Sequence, residues 1–231
     1  MKNNKKKYIW FDIGYTLLKL KRGENFQSIL ADLGFSITIS EIEKAFHITD
    51  KLFMREYPGV LGKSRDFYMP MFLGNIIYIL GLRTDICPLF DAWKKKLENP
   101  FKVWIPFDHV RDELTRLSNE GYRLGVISNW DKTAIPLLDM HGLTPLFDNI
   151  IISSEVGFEK PGVEIFKTAL GQASVSAEDC LYVGDNYYDD GIGSRKAGMD
   201  FVIINSFGTL GVEEIKDCAI IPDITHLKEY I

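Results

Sequence analysis

Short apolar segments that end beside polar residues limit the folds open to this chain more than any other feature. The predicted strands are 8–11, 123–127, 149–152, 181–183 and 201–204. Segments of this length, rich in aromatic and β-branched residues, are typical of buried strands. From about residue 107 onward they alternate with amphipathic helical segments, which predicts a parallel sheet with helices on both faces. The fold class is therefore α/β, with a doubly wound parallel sheet.

The segment between the first two predicted strands has a different pattern. Residues 21–100 are predicted to be helical throughout, with breaks at Gly34, at Pro58-Gly59 and at Gly81. We therefore predict a discontinuous α/β core, made of 1–20 and 101–231, with a small inserted helical domain at 21–100. The tail, near 208–230, is predicted to form a helix, a short strand and a last helix.

The composition of the chain limits the classes of molecule that it is expected to bind. The 231 residues carry 27 Lys+Arg and 32 Asp+Glu, a formal charge of −5, so bulk charge favours neither nucleic acid nor anionic lipid. The most apolar stretch, 67–80, is shorter than the roughly 20 residues of a membrane span. The Lys-rich start does not resemble a signal peptide, and three cysteines without metal-ligand spacing favour a reducing compartment. We expect a cytoplasmic protein without a nucleic-acid or membrane partner.

Three polar residues lie at or just after the ends of predicted strands: Asp12, Ser128 and Asp185. In open α/β sheets, ligands bind along the edge formed by the carboxyl ends of the strands. Any one of these residues could merely cap a helix or form a turn. Together with Asp189 and Asp190, however, they predict a cluster of carboxylates that repel one another and require a cation. Oxygen ligands without His or Cys indicate a hard ion, namely Mg²⁺.

Four sequence motifs, in this order, resemble those of the haloacid dehalogenase (HAD) superfamily. They are FDIGYT at 11–16, VISN at 126–129, KP at 160–161, and VGD at 183–185 followed by Asp189-Asp190. The helical insertion after the first motif resembles the subfamily in which a small helical cap closes over the site. The resemblance implies a Rossmann-like core (1–20 and 101–231) and a cap (21–100).

The resemblance implies a role for each matching residue. Asp12 would attack phosphorus and form an aspartyl-phosphate, and Mg²⁺ would be held by Asp12, the backbone carbonyl of Gly14 and Asp185. Asp190 would complete the metal site or orient its ligands. Asp189 would orient ligands in the same way, and a solvated surface acid is an equally open interpretation of this residue.

The same resemblance implies a phosphate-binding set. Ser128 would donate its hydroxyl to a phosphate oxygen with help from Asn129, and Lys160 would bridge the phosphate and Asp12. Thr16 would either hydrogen-bond Asp12 or shape the turn. Without the resemblance, Lys160 would be interpreted as a surface lysine before a helix that begins at a proline.

One position departs from the family pattern. Phosphatases of the superfamily usually carry a second Asp two positions after the nucleophile, as general acid and base, and here that position is Gly14. Such proton transfer typically contributes about 10²–10⁴-fold to the rate. A phosphatase of small phosphorylated metabolites is the predicted function. The alternatives are a phosphonate- or halide-cleaving relative, or a catalytically weak phosphometabolite-binding protein.

The halide-cleaving alternative is disfavoured because dehalogenases lack an equivalent of Gly184-Asp185.

The residues that select the substrate are expected to lie in the insertion, where Arg22 and Arg65 are among the candidates. The sequence leaves both monomer and homodimer open.

Overall fold

A computed structural model describes residues 6–231 and has a six-stranded parallel sheet at its centre, in the order β5-β4-β1-β6-β7-β8. The strands of the chain are β1 (Tyr8–Phe11), β2 (Leu18–Leu20), β3 (Trp104–Pro106), β4 (Arg123–Ser128), β5 (Asn149–Ile152), β6 (Cys180–Gly184), β7 (Asp200–Ile204) and β8 (Ala219–Ile221). The short strands β2 and β3 pair with each other in a separate two-stranded sheet. The predicted α/β class is thus confirmed.

Ten α-helices accompany these strands in the described part of the chain. They are α1 (Arg22–Asp32), α2 (Ile39–Glu56), α3 (Arg65–Ile79), α4 (Ile86–Lys96), α5 (Pro100–Val103), α6 (Val110–Asn119), α7 (Ala134–Met140), α8 (Ser153–Val156), α9 (Val163–Ala173) and α10 (Ile192–Lys196). A π-helical turn, Tyr187–Gly191, precedes α10.

The register of β1 brings the predicted site residues to one edge of the sheet. All four residues of β1 are buried, and Phe11 lies opposite Val126 of β4 and Val183 of β6. Because the three strands are parallel, their carboxyl ends meet at one edge. The N–H of Asp12 continues the ladder by donating to Val183 O at 2.9 Å.

The chain divides into two compact units. The core unit contains the chain up to Lys19 together with Ile105–Thr209 and Glu213–Ile231. The helical unit contains Leu20–Trp104 together with the short segment Leu210–Val212. Within the helical unit, Nε2 of His47 lies 2.8 Å from the carbonyl oxygen of Leu210.

Aromatic side chains form the interior of the helical unit. Phe26 packs edge-to-face on Phe46 and on Trp93, with ring centroids 5.2 Å and 5.3 Å away. Helix α2 begins with a capping box, in which Thr38 and Glu41 satisfy each other's backbone N–H groups. In the part of the chain that the structure describes, no helix is long and apolar enough to cross a membrane.

The tail differs in part from the prediction. The short strand is present as β8, but the segment predicted to be a helix before it consists of turns, and a 3-10 helix (Ile224–Glu229) replaces the last helix. Gly208 and Gly211 have φ angles of +66° and +77°, in the left-handed region that an α-helix cannot contain. These two residues explain why the chain turns there instead of continuing as a helix.

Candidate active site

The carboxylate of Asp12 lies at the centre of the site. Asp12 follows the last residue of β1 and is 8% exposed. Its Oδ1 accepts hydrogen bonds from the hydroxyl of Ser128 and from Nζ of Lys160, both at 2.8 Å. Residues predicted from three separate motifs therefore contact one another directly.

Lys160 is a buried cation whose three N–H donors are all used. Nζ donates to Asp12 Oδ1 (2.8 Å), to Asp190 Oδ1 (2.6 Å) and to the hydroxyl of Tyr182 (3.1 Å). Burial alone would lower the pKa of Lys160, but the carboxylates of Asp12 and Asp190 hold that pKa well above its ordinary value. The side chain is therefore a fixed positive charge between two carboxylates.

Asn129 holds the backbone of Lys160. Its side-chain Nδ2 donates to Lys160 O at 2.9 Å, and its Oδ1 accepts from Lys160 N at 2.8 Å. These two hydrogen bonds fix the segment from which the lysine side chain reaches Asp12. The contact of Asn129 with phosphate stays a prediction, for which the second N–H of the amide would be the donor.

The acidic residues form a cluster suited to a hard cation. Carboxylate oxygens of Asp12, Asp185 and Asp190, all buried, lie within 4.8 Å of one another. Two of these carboxylates, on Asp12 and Asp190, share the single ammonium group of Lys160, and a divalent ion would offset the remaining negative charge. The donors are all oxygens, as Mg²⁺ prefers. The residues present therefore fit a magnesium ion.

Asp190 is held on both of its oxygens. Oδ1 accepts from Lys160, and Oδ2 accepts from the N–H of Asn186 at 3.0 Å. Burial raises the pKa of Asp190, an effect that Lys160 opposes. A Cβ atom on Gly184 would lie 2.2 Å from Asp190 Oδ2, so only glycine permits this close approach to β6.

Asp189 does not share the contacts of Asp190. Its Oδ2 accepts from the side-chain amide of Asn186 at 2.8 Å, within the π-helical turn. Burial raises the pKa of Asp189 to about 6. Its carboxylate is thus partly buried inside the turn, unlike that of a fully solvated surface acid.

The loop after β1 shapes the remaining predicted positions. Gly14 forms an isolated bridge to Leu18, and the N–H of Tyr15 donates to Leu18 O at 2.7 Å. Tyr15 has a φ of +51°, a left-handed conformation that few residues other than glycine adopt. The hydroxyl of Thr16 is buried and has no hydrogen-bond partner among residues 6–231. The predicted alternative of a Thr16–Asp12 hydrogen bond is therefore not observed.

Two predicted substrate-specificity candidates of the insertion make contacts within the helical unit, and their role in specificity stays a prediction. Arg22 pairs with Asp50 at 2.5 Å and with Glu43 at 3.2 Å, and its guanidinium lies over the ring of Phe46. Arg65 donates to the carbonyl oxygen of Leu97 at 3.1 Å. Both side chains have structural partners within the helical unit.

Sequence reasoning missed Tyr182. It lies within β6, where an aromatic residue between Leu181 and Val183 is interpreted as part of the apolar core. Its hydroxyl nevertheless contacts Lys160 and the carbonyl oxygen of Ile127. The only available signal was the choice of Tyr rather than Phe at a buried strand position, since a buried Tyr hydroxyl usually has a hydrogen-bond partner.

Comparison with known proteins identifies the class. The family of haloacid dehalogenase-like hydrolases matches residues 9–204. Since this match covers most of the chain, the protein belongs to the haloacid dehalogenase-like hydrolase family, and it is a hydrolase. The resemblance drawn from the four motifs is confirmed.

Individual relatives refine the comparison. A glyceraldehyde 3-phosphate phosphatase of Methanothermobacter thermautotrophicus is 35% identical over 57% of this chain and 61% of its own length. The human haloacid dehalogenase-like hydrolase domain-containing protein 3 is 26% identical over 94% of this chain and 90% of its own. The crystal structure of YfnB from Bacillus subtilis, bound to magnesium, has a TM-score of 0.66 at 22% identity and covers 98% of both chains. At this identity, the likeness to YfnB shows the shared fold.

Proposed function

We propose that the protein is a Mg²⁺-dependent phosphatase of small phosphorylated metabolites, which acts through an aspartyl-phosphate on Asp12. The contacts of Asp12 carry this proposal. A carboxylate is a weak nucleophile unless it is oriented and the phosphate charge is neutralised. Ser128 and Lys160 orient the carboxylate through Oδ1, and no described residue donates a hydrogen bond to Oδ2.

The residues around Asp12 supply positive charge and donors for a phosphoryl group. Lys160 contributes a permanent cation for the phosphoryl group. The hydroxyl of Ser128 donates its one hydrogen to Asp12 in this structure, so it would turn away from Asp12 to donate to a phosphate oxygen. The hydroxyl of Thr16 would be a second donor. Asp12, Asp185, the carbonyl of Gly14 and, directly or through other ligands, Asp190 would hold the metal. Bound Mg²⁺ supplies further neutralisation of the phosphoryl charge.

The proposed substrate class is supported by the phosphatase among the relatives. That protein is named for glyceraldehyde 3-phosphate, a small phosphorylated metabolite. We further propose that residues 21–100 act as a cap and select the substrate, while 1–20 and 101–231 form the catalytic core. The described side chains that contact Asp12, those of Ser128 and Lys160, suit a phosphoryl group and supply no contact specific to the rest of a substrate.

Gly14 favours a second candidate function. Without a carboxylate at this position, the loop that carries the nucleophile has no second carboxylic acid to protonate the leaving group. A chain with the metal and nucleophile but without efficient proton transfer could bind a phosphometabolite and turn it over only slowly. This second candidate is a phosphometabolite-binding protein with weak catalysis.

Phosphate release from a panel of esters separates the candidates. The panel contains para-nitrophenyl phosphate and glyceraldehyde 3-phosphate, assayed with Mg²⁺ or with EDTA. We expect release that requires Mg²⁺ and falls at least about 10³-fold in Asp12→Asn. The matched control is Asp139→Asn, which makes the same change at an exposed position of α7 and leaves activity unchanged.

Two outcomes would count against the phosphatase. Release by Asp12→Asn at the wild-type rate would exclude Asp12 as the nucleophile. No release by a folded wild-type protein, combined with thermal stabilisation by one of the esters, would favour the binding protein.

A further inference from the structure

Tyr182 is a fully buried residue of the strand that ends beside Asp185. Its ring packs edge-to-face on Phe166, with centroids 5.4 Å apart, and stacks near Phe201 at 6.3 Å. Neighbours on both sides therefore fix the plane of the ring. The position of the hydroxyl at its tip is fixed with it, because a tyrosine side chain has only two torsion angles.

The hydroxyl of Tyr182 links two parts of the site. It accepts a hydrogen bond from Lys160 Nζ at 3.1 Å and lies 2.7 Å from Ile127 O and 3.2 Å from Asp190 Oδ1. A phenol has one hydrogen to donate, and the shorter contact assigns it to Ile127 O. The hydroxyl therefore connects the lysine to the residue that precedes Ser128.

We propose that Tyr182 is a positioning residue, which holds the ammonium group of Lys160 against Asp12 and in register with the end of β4. This inference rests on the proposed phosphatase function and deepens it. None of the four family motifs of this chain includes Tyr182.

The ammonium group of Lys160 has three hydrogen-bond acceptors, and the Tyr182 hydroxyl differs from the other two. Two of the acceptors are the charged carboxylates of Asp12 and Asp190, whereas the third is a neutral hydroxyl whose position is fixed by the packed ring. Removing the hydroxyl leaves one N–H of a buried ammonium without an acceptor and Ile127 O without this donor. The ammonium group is then free to turn away from the orientation in which it faces Asp12.

A matched pair of substitutions tests the proposal. Tyr182→Phe removes the hydroxyl and keeps the ring. Tyr8→Phe makes the same change in the neighbouring strand β1, where the Tyr8 hydroxyl contacts Leu124 O at 3.1 Å and Asn149 Oδ1 at 2.8 Å, at the opposite end of the strand from Asp12. The probe is para-nitrophenyl phosphate with Mg²⁺, at a temperature at which both variants are folded.

We expect kcat to fall about tenfold in Tyr182→Phe, the effect of one misplaced hydrogen-bonding group, while KM changes less than twofold. We expect Tyr8→Phe to keep the wild-type kcat and KM, even if its urea midpoint falls as much as that of Tyr182→Phe. A kcat for Tyr182→Phe within twofold of wild type would overturn the proposal. An equal loss in Tyr8→Phe would overturn it too, since the loss would then report general destabilisation.

A second measurement does not depend on turnover. Urea midpoints are compared for Tyr182→Phe and Lys160→Met, alone and combined. If the hydroxyl acts on Lys160, the two midpoint shifts are not additive, whereas those of Tyr8→Phe and Lys160→Met are. If the wild-type protein released no phosphate from any ester, that result would refute the proposed function but not the positioning role. Additive shifts for Tyr182 and Lys160 would refute the positioning role.

Discussion

Lys160→Met is the perturbation whose consequence follows most directly from the structure. Methionine keeps an unbranched apolar stem of similar length and removes the ammonium group that lies 2.8 Å from Asp12 and 2.6 Å from Asp190. The carboxylates of Asp12 and Asp190 then lack this cation. Breaking a buried ion pair by removing one partner costs about 3–5 kcal/mol, because the remaining charge is left without compensation.

The expected change is large enough to measure in two ways. In EDTA, the free energy of unfolding of Lys160→Met falls by about 3–5 kcal/mol relative to wild type. For a protein of this size, about 2–4 °C per kcal/mol converts this loss to a fall in Tm of about 6–20 °C. Mg²⁺ recovers part of the loss, because it binds the folded cluster and replaces some of the missing positive charge.

The assay is urea unfolding followed by tryptophan fluorescence, with EDTA or with MgCl₂. Lys167→Met is the matched control, since Lys167 is an exposed residue of α9, and its unfolding free energy stays within about 0.5 kcal/mol of wild type. A loss below about 1 kcal/mol for Lys160→Met in EDTA would refute the reasoning, as the carboxylates would then not depend on this ammonium for compensation.

Three further predictions concern single positions. Gly14→Asp, in a folded variant, raises the turnover of an alkyl phosphate by more than that of para-nitrophenyl phosphate, because only the alkoxide leaving group requires a proton. Gly184→Ala lowers the free energy of unfolding by about 1–3 kcal/mol, because its Cβ would lie 2.2 Å from Asp190 Oδ2. Burial lowers the pKa of His47 from 6.5. The unfolded chain then binds the proton more readily, so stability is lost as the pH falls below 6.5, and His47→Gln reduces this loss.

Each of these predictions has an outcome that contradicts it. Equal acceleration of both esters in Gly14→Asp would mean that the new carboxylate does not act as an acid. Wild-type stability of Gly184→Ala would show that Asp190 can move away from β6 at no cost. Urea midpoints at pH 5.5 and 7.5 that differ equally in wild type and His47→Gln would place the pH dependence on other groups.

The sheet edge was predictable because parallel strands have a fixed geometry. Asp12, Ser128 and Asp185 follow or end apolar segments, and parallel pairing places those ends together whatever the loops do. The register of β1 against β4 and β6 confirms that reasoning. Nothing more than strand length and polarity was needed to group these three residues.

Lys160 and Tyr182 show where sequence reasoning stops. The position of Lys160 depends on the paired hydrogen bonds from Asn129, a contact between two loops that no local pattern encodes. Only the family resemblance pointed to this lysine. Tyr182 was missed for the opposite reason, because a buried aromatic residue in a strand is expected to belong to the apolar core.

The structure also limits where the proton for the leaving group can come from. All three N–H donors of Lys160 are used within the core unit, and Asp190 accepts hydrogen bonds on both oxygens. Neither group is therefore placed to serve as a general acid in the position that Gly14 leaves without a carboxylate. A phosphatase built in this way takes the proton from a group other than Lys160 and Asp190, such as the substrate or water. In each case, the ratio of aryl to alkyl phosphate turnover is larger in this protein than in its Gly14→Asp variant.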